Sequence, residues 1–178
     1  VPTNLELMRQ ADLAWVRCDF YWDTVENPHG TWHFDHIEKV LDQTEARGLN
    51  LLVILGYTVP WARPVCDHVE PWLEYVRRTV SHFKGRVKHW EIWNEQNLKS
   101  FWVADPDPKA YAQFLKSTYE TIKEIDPESV VVYGGLAGVP FDYYEQTLQA
   151  GAGPYFDVAN IHPYRGGLST AQETRKFL

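Results

Sequence analysis

The residues best placed to do chemistry lie in HWEIWNEQN, His89 to Asn97. Trp90, Ile92 and Trp93 favour a strand, whereas Asn94, Gln96 and Asn97 disfavour one. The segment therefore reads as a strand that ends in an amide and a carboxyl, Asn94 and Glu95. In parallel α/β proteins the working groups gather at the carboxyl ends of strands. A Glu there, walled by Trp90 and Trp93, is placed to serve as a general acid. The plainer alternative is a solvated loop acid. On another strand Arg17 and Asp19 alternate with Val16, Cys18 and Phe20, so the two charges share a face. His162 and Tyr164, stiffened by Pro163, follow a third strand. Trp22, Tyr57, Trp61 and Trp102 all fall just after strands, where an aromatic face can either line a ligand subsite or pack in the core.

WEIWNE resembles the acid/base segment of the clan A retaining glycoside hydrolases, whose fold is a TIM (β/α)8 barrel. WVRCDFYWDTVE (Trp15–Glu26), LLVILGYTVPWA (Leu51–Ala62), VVYGGLAG (Val131–Gly138) and DVANIHPY (Asp157–Tyr164) resemble the second, third, fifth and sixth strands in clan order. The likeness is closest to glycoside hydrolase family 39, with its β-xylosidases, iduronidases and exopolysaccharide hydrolases. The resemblance implies hydrolysis of O-glycosyl bonds with Glu95 as acid/base, without metal or cofactor. It implies that the Asn94 amide bonds the sugar 2-hydroxyl, a contact that strengthens in an oxocarbenium-like transition state. A loop amide satisfying backbone is the alternative. His162 and Tyr164 match an HxY arrangement that contacts the sugar or the nucleophile carboxylate. Arg17 reads two ways, as a structural ion pair or as the clan's Arg beside the nucleophile. Asp19, Trp22, Trp61 and Trp102 complete the expected substrate contacts.

The elements that must position these groups alternate. Asn4 to Leu13 reads as a helix and Trp15 to Phe20 as a strand. Arg17 and Asp19 are untenable among packed helices, so their face must point into the barrel. Asn27, Pro28 and Gly30 mark a loop, Asp35 caps a helix, and Gly48 stops it. Leu51 to Leu55 is a continuous apolar strand, as a sheet covered on both faces requires. A helix opened by Pro71 ends at Gly85, and Val87 to Trp93 is the central strand. Asp107 with Pro108 begins a long helix that stops at Asp126-Pro127. Val130 to Tyr133 is a strand with Gly134-Gly135 as its exit, Phe141 to Gln149 a helix, Phe156 to Ile161 the last strand, and Ser169 begins another helix. Side-chain parity places Glu91, Trp93 and Glu95 in the barrel interior if the strand stays regular. Glu91, deepest, needs a partner, and Arg17 is the candidate.

The 178 residues form one domain, a catalytic-domain fragment spanning 1–178, with a net charge of −7. That charge argues against nucleic-acid and anionic-membrane surfaces, and no apolar run approaches the roughly 20 residues of a membrane span. Cys18 and Cys66 read as free thiols. His29, His33, His36 and His68 lack metal-ligand geometry and read as surface. Val1 does not open a signal peptide, and because the chain begins in mid-domain the compartment stays open, secretion or a periplasmic site included.

A retaining glycosidase needs two carboxyls about 5–5.5 Å apart. By resemblance the nucleophile is a Glu ending the seventh strand, whereas this chain holds roughly strands two to six of the eight. Glu145 and Glu173 fall on helices and Glu26 in the wrong loop. The missing strands are expected from the rest of a longer chain or from a partner. The second function class is a non-catalytic carbohydrate-binding module made from such a barrel. A cofactor-dependent α/β enzyme is disfavoured, since no strand is followed by GxGxxG.

Overall fold

The structure is a computed structural model and describes residues 3–164 and 175. Helix α1 (Asn4–Gln10) is capped by the Thr3 hydroxyl; strands and helices then alternate. They are β1 (Trp15–Tyr21), a single turn α2 (Trp22–Val25), α3 (Asp35–Glu45), β2 (Asn50–Gly56), α4 (Val69–Phe83) and β3 (His89–Asn94). There follow a short α5 (Lys99–Trp102), α6 (Pro108–Ile125), β4 (Val130–Ala137), α7 (Phe141–Gln149) and β5 (Ile161–His162). The five strands form one sheet in sequence order, and every pair is parallel. With helices packed on its outer face, this is a partial (β/α)8 barrel.

Helix α6 shows how local sequence sets the elements. The Asp107 carboxylate accepts from Lys109 N (2.8 Å) and Ala110 N (3.2 Å), and Pro108 supplies the first helical φ. Asp35 does not cap α3 as expected. Phe34 holds the cap position, and Asp35 sits inside the first turn, where a negative charge favours the positive end of the helix dipole.

The core lies between the sheet and the helices. Phe20, Val53, Leu55, Trp90, Ile92, Val131 and Tyr133 meet Trp72, Val76, Phe83, Phe114 and Leu115 there, all buried. The other face of the sheet is the barrel interior, and it is layered. Arg17 pairs with Leu52, Leu52 with His89 and His89 with Val130; the next layer holds Asp19, Ile54, Glu91 and Val132. A cavity of about 430 Å³ opens along this concave face, lined in part by Trp15, Leu52, Val130 and Val158.

Two strands depart from expectation. β4 runs on through Gly134 and Gly135 to Ala137. Regular pairing of the last strand is confined to Ile161–His162, because the Asp157 carboxylate takes the Val131 N–H (2.8 Å) and Val158 makes only an isolated bridge to Val132. The helix expected from Ser169 lies outside the described residues.

Candidate active site

At the exit of β3 the backbone leaves the extended region twice. Trp93 has φ 72° and Glu95 φ 51°, both left-handed although neither is glycine. Each such residue costs about 1–3 kcal/mol and persists only where its surroundings over-determine it. The first kink breaks the strand's alternation. Ile92 pairs with Tyr133 and Asn94 with Gly135, while Trp93 drops out of the register. Its ring turns away from the interior and packs against Trp102 (5.3 Å between centroids), Trp72 (5.7 Å) and Phe114 (5.9 Å). Trp93 therefore does not point into the barrel as parity required, and neither Trp93 nor Trp90 walls Glu95; Trp90 packs on Phe20 in the core.

With Trp93 displaced, Asn94 falls on the interior side. Its Oδ1 accepts from Arg17 Nη2 at 2.8 Å, and its side chain also bonds the Tyr57 hydroxyl. Arg17 reaches up one layer to grip Glu91 in a fork, Nε to Oε2 at 2.7 Å and Nη2 to Oε1 at 2.8 Å. Two more donors complete the Glu91 shell, Gly135 N (2.8 Å) and Asn160 Nδ2 (3.0 Å). The expected Arg17–Glu91 pair is thus formed, and Arg17 also fixes the orientation of the Asn94 amide.

The second kink brings Glu95 to the mouth of the sheet. Its N–H donates to Gly135 O (2.8 Å), and its Oε1 lies 2.8 Å from His162 Nδ1. With Glu95 ionised, Nδ1 carries the proton and donates. The imidazole is nearly buried and stacks on Tyr164, rings 5.5 Å apart and 10° from parallel. Tyr164 is 73% exposed, so its outer face is open. The loop beyond is stitched to β4 by side chains: Gln96 Nε2 donates to Gly134 O (2.9 Å), while Asn97 accepts from Ala137 N (2.9 Å) and donates to Ala137 O (3.1 Å).

Asp19 shares the interior face, next to Tyr21 and Tyr57. Burial pushes its carboxyl up, against the opposing pull of Arg17. Burial first, then the charge of Asp19, raises the Tyr57 phenol, so it stays protonated as a hydrogen-bonding group. Tyr21 and Tyr57 stack at 5.5 Å.

The aromatic expectations divide. Trp22 and Trp102 are core residues with no face for a sugar. Trp22 is sealed by Trp72 and Tyr75 and donates to Glu26 Oε2 at 2.7 Å. Trp102 is enclosed by Trp93, Tyr111 and Phe114. Each follows a strand, but each sits on a short helix whose inner side faces the helix layer. Trp61 keeps 38% of its surface and is propped by His29 and Trp22. His29, read as surface, also bonds Glu26 Oε1 (2.8 Å). Asn160, Gln96 and Asn97 escaped the sequence reading. Asn160 shares strand parity with His162, which is a usable signal; for the other two, low strand propensity pointed to a loop and hid their pairing role.

Arg17, Asp19, Asn94, Glu95, His162 and Tyr164 thus come together at one end of a parallel sheet, as polar groups able to bond a hydroxylated ligand and pass one proton. The model of glycosyl hydrolases family 39 matches residues 64–152. Among curated relatives, endo-1,4-beta-xylanase B of Thermotoga neapolitana is 25% identical over 133 residues, covering 63% of this chain and 35% of that protein. Beta-xylosidase of Geobacillus stearothermophilus is 28% identical over 127 residues, covering 60% and 24%. A solved family 39 glycoside hydrolase from Bacteroides cellulosilyticus WH2 superposes with TM-score 0.77 at 27% identity, over 90% of this chain and 34% of that one. The chain spans about a third or less of the length of these relatives. With the family's model matching half of its 178 residues, this chain belongs to glycosyl hydrolase family 39.

Proposed function

We propose that the whole protein is a retaining O-glycoside hydrolase in which Glu95 is the acid/base. The observation that carries this is the junction of β3 and β5, where Glu95 and His162 meet at 2.8 Å beside Asn94. A carboxyl there, held by an imidazole and 17% exposed, has an oriented path for a proton to a glycosidic oxygen. The Asn94 amide, oriented by Arg17, is assigned to the sugar 2-hydroxyl. Tyr164, Trp61, Asp19 and Arg17 are assigned to the sugar and its neighbours. The relatives named xylanase and xylosidase make β-xylosides the first class to test.

The nucleophile is placed outside these 178 residues. Glu91 is saturated by Arg17, Gly135 and Asn160, and Glu26 is held by Trp22, His29 and Gly30. Neither carboxylate is free to attack a sugar. The test is Glu95→Gln in the full-length protein, assayed on aryl β-xylosides of graded leaving-group ability. Poor leaving groups need the proton and lose about 10²–10⁴-fold, while activated ones lose far less. Equal loss on both sinks the acid assignment. A full-length protein that binds xylo-oligosaccharides and hydrolyses none of them would favour the carbohydrate-binding reading.

A further inference from the structure

We propose that Tyr111, on the outer helix α6, is a positioning residue for Glu95; the kinetic part of this rests on the acid/base reading above. Tyr111 is fully buried on the opposite face of the sheet from the site. Its hydroxyl is inserted between β3 and β4 at the point where Trp93 leaves the register. There it donates to Ile92 O at 2.8 Å and accepts from Gly134 N at 3.0 Å. Ile92 is the residue before the kink, and Gly134 follows its partner Tyr133, level with Trp93. A Cβ on Gly134 would run into Ile92 O, Gln96 Oε1 and the Tyr111 hydroxyl, so only glycine lets all three approach.

The hydroxyl therefore acts as a wedge. Both groups that it satisfies are buried, and each would cost about 1–3 kcal/mol if left unpaired. Without it, the nearest relief for the Ile92 carbonyl and the Gly134 N–H is each other. Closing that gap removes the room that the left-handed Trp93 occupies, and the strand returns toward regular alternation. Asn94 and Glu95 then rotate away from Arg17 and His162. The coupling is short, because the adjacent Gly135 carbonyl accepts the Glu95 N–H and the Gly134 carbonyl accepts from Gln96. Desolvation raises the phenol well above its ordinary value, which keeps the donor protonated.

The test compares Tyr111→Phe with Tyr75→Phe in the full-length protein. Tyr75 is an equally buried helix tyrosine whose hydroxyl bonds a strand carbonyl, that of Phe20 on β1, so it reports general loss of stability. One readout is the ratio of kcat/KM on an activated aryl β-xyloside to that on a poorly activated one. A second is the crystal structure of each variant. We expect Tyr111→Phe to raise the ratio about tenfold, the scale of a sub-ångström misplacement of a catalytic group, and Trp93 to leave the left-handed region. Tyr75→Phe should leave the ratio unchanged. An unchanged ratio in Tyr111→Phe, or an unaltered Trp93–Glu95 backbone with the His162 contact intact, overturns the proposal. If Glu95→Gln itself shows no leaving-group dependence, the acid reading fails separately, and the Tyr111→Phe crystal structure still decides the wedge.

Discussion

A carboxylate sealed from water must be matched donor for donor, and Glu91 is 0% exposed. Its four hydrogen bonds come from a guanidinium on β1, a backbone N–H on β4 and an amide on the segment leading into β5, so it ties all three to β3. The pair is lopsided. The Arg17 side chain is 36% exposed and can turn to solvent, whereas Glu91 cannot. Arg17→Met therefore leaves an uncompensated buried anion and should cost about 3–5 kcal/mol. Glu91→Gln keeps shape and an acceptor, and should cost about 1–2 kcal/mol. Urea unfolding of the full-length variants at neutral pH measures both; equal losses would show that the anion is not sealed. The Arg17–Glu91 pairing was legible from strand parity and the need to neutralise an inward charge. The grip of Arg17 on Asn94 was not, because it depends on a kink that shifts parity by one.

At the scale of the element, β4 is the strand whose small residues matter most. Gly134-Gly135 reads locally as a turn or strand exit, since glycine punctuates. In the fold both lie within a paired strand, and glycine is required by close approach from neighbouring groups. A Cβ on Gly135 would run into His162 Nε2 and press on Asn160 Nδ2 at 2.9 Å. Gly135→Ala should therefore displace the two groups that hold Glu95 and Glu91. The overpacking costs about 1–3 kcal/mol, and the shift of His162 should lower kcat about tenfold or more in protein that still folds. Thermal unfolding and kinetics on the same preparation check this; a stable variant with undiminished kcat would contradict the tight packing. The βα rhythm, the α6 cap at Asp107 and the apolar strands were legible because periodicity and capping are local signals. The kinks at Trp93 and Glu95 were not. Nothing within HWEIWNEQN distinguishes a tryptophan that alternates inward from one pulled outward by Trp72, Trp102 and Phe114, which arrive from three separate helices. The same blindness put Trp22 and Trp102 at a sugar subsite when the helix layer claims them.

For the whole molecule, the question is what the arc of five strands exposes. Leu51–Leu55 and Val130–Val132 carry no charge and would invite association at an open edge, but they belong to β2 and β4, which are paired on both sides. The outer strands are β1, which carries Arg17 and Asp19, and β5, where regular pairing spans only Ile161–His162. Short or charged edges resist strand-to-strand pairing. On the concave face Arg17 and Asp19 carry charge, and apolar side chains surround them. Trp15 (48% exposed), Val158 (45%) and Tyr164 (73%) lie along it with Leu52 and Val130, and apolar surface of this kind favours association. The isolated 178-residue chain should therefore self-associate through its interior face and not through its edges, and should not hydrolyse glycosides. Sedimentation of the purified chain gives its mass. Trp15→Glu and Val158→Lys, on the open face, should shift it toward monomer, whereas a charge placed at exposed Leu148 on the outer helix α7 should change little. A monodisperse monomer at micromolar concentration would show that the interior is covered in a way the arc does not reveal. A monomer that also cleaves aryl β-xylosides would place the second carboxyl inside these residues after all.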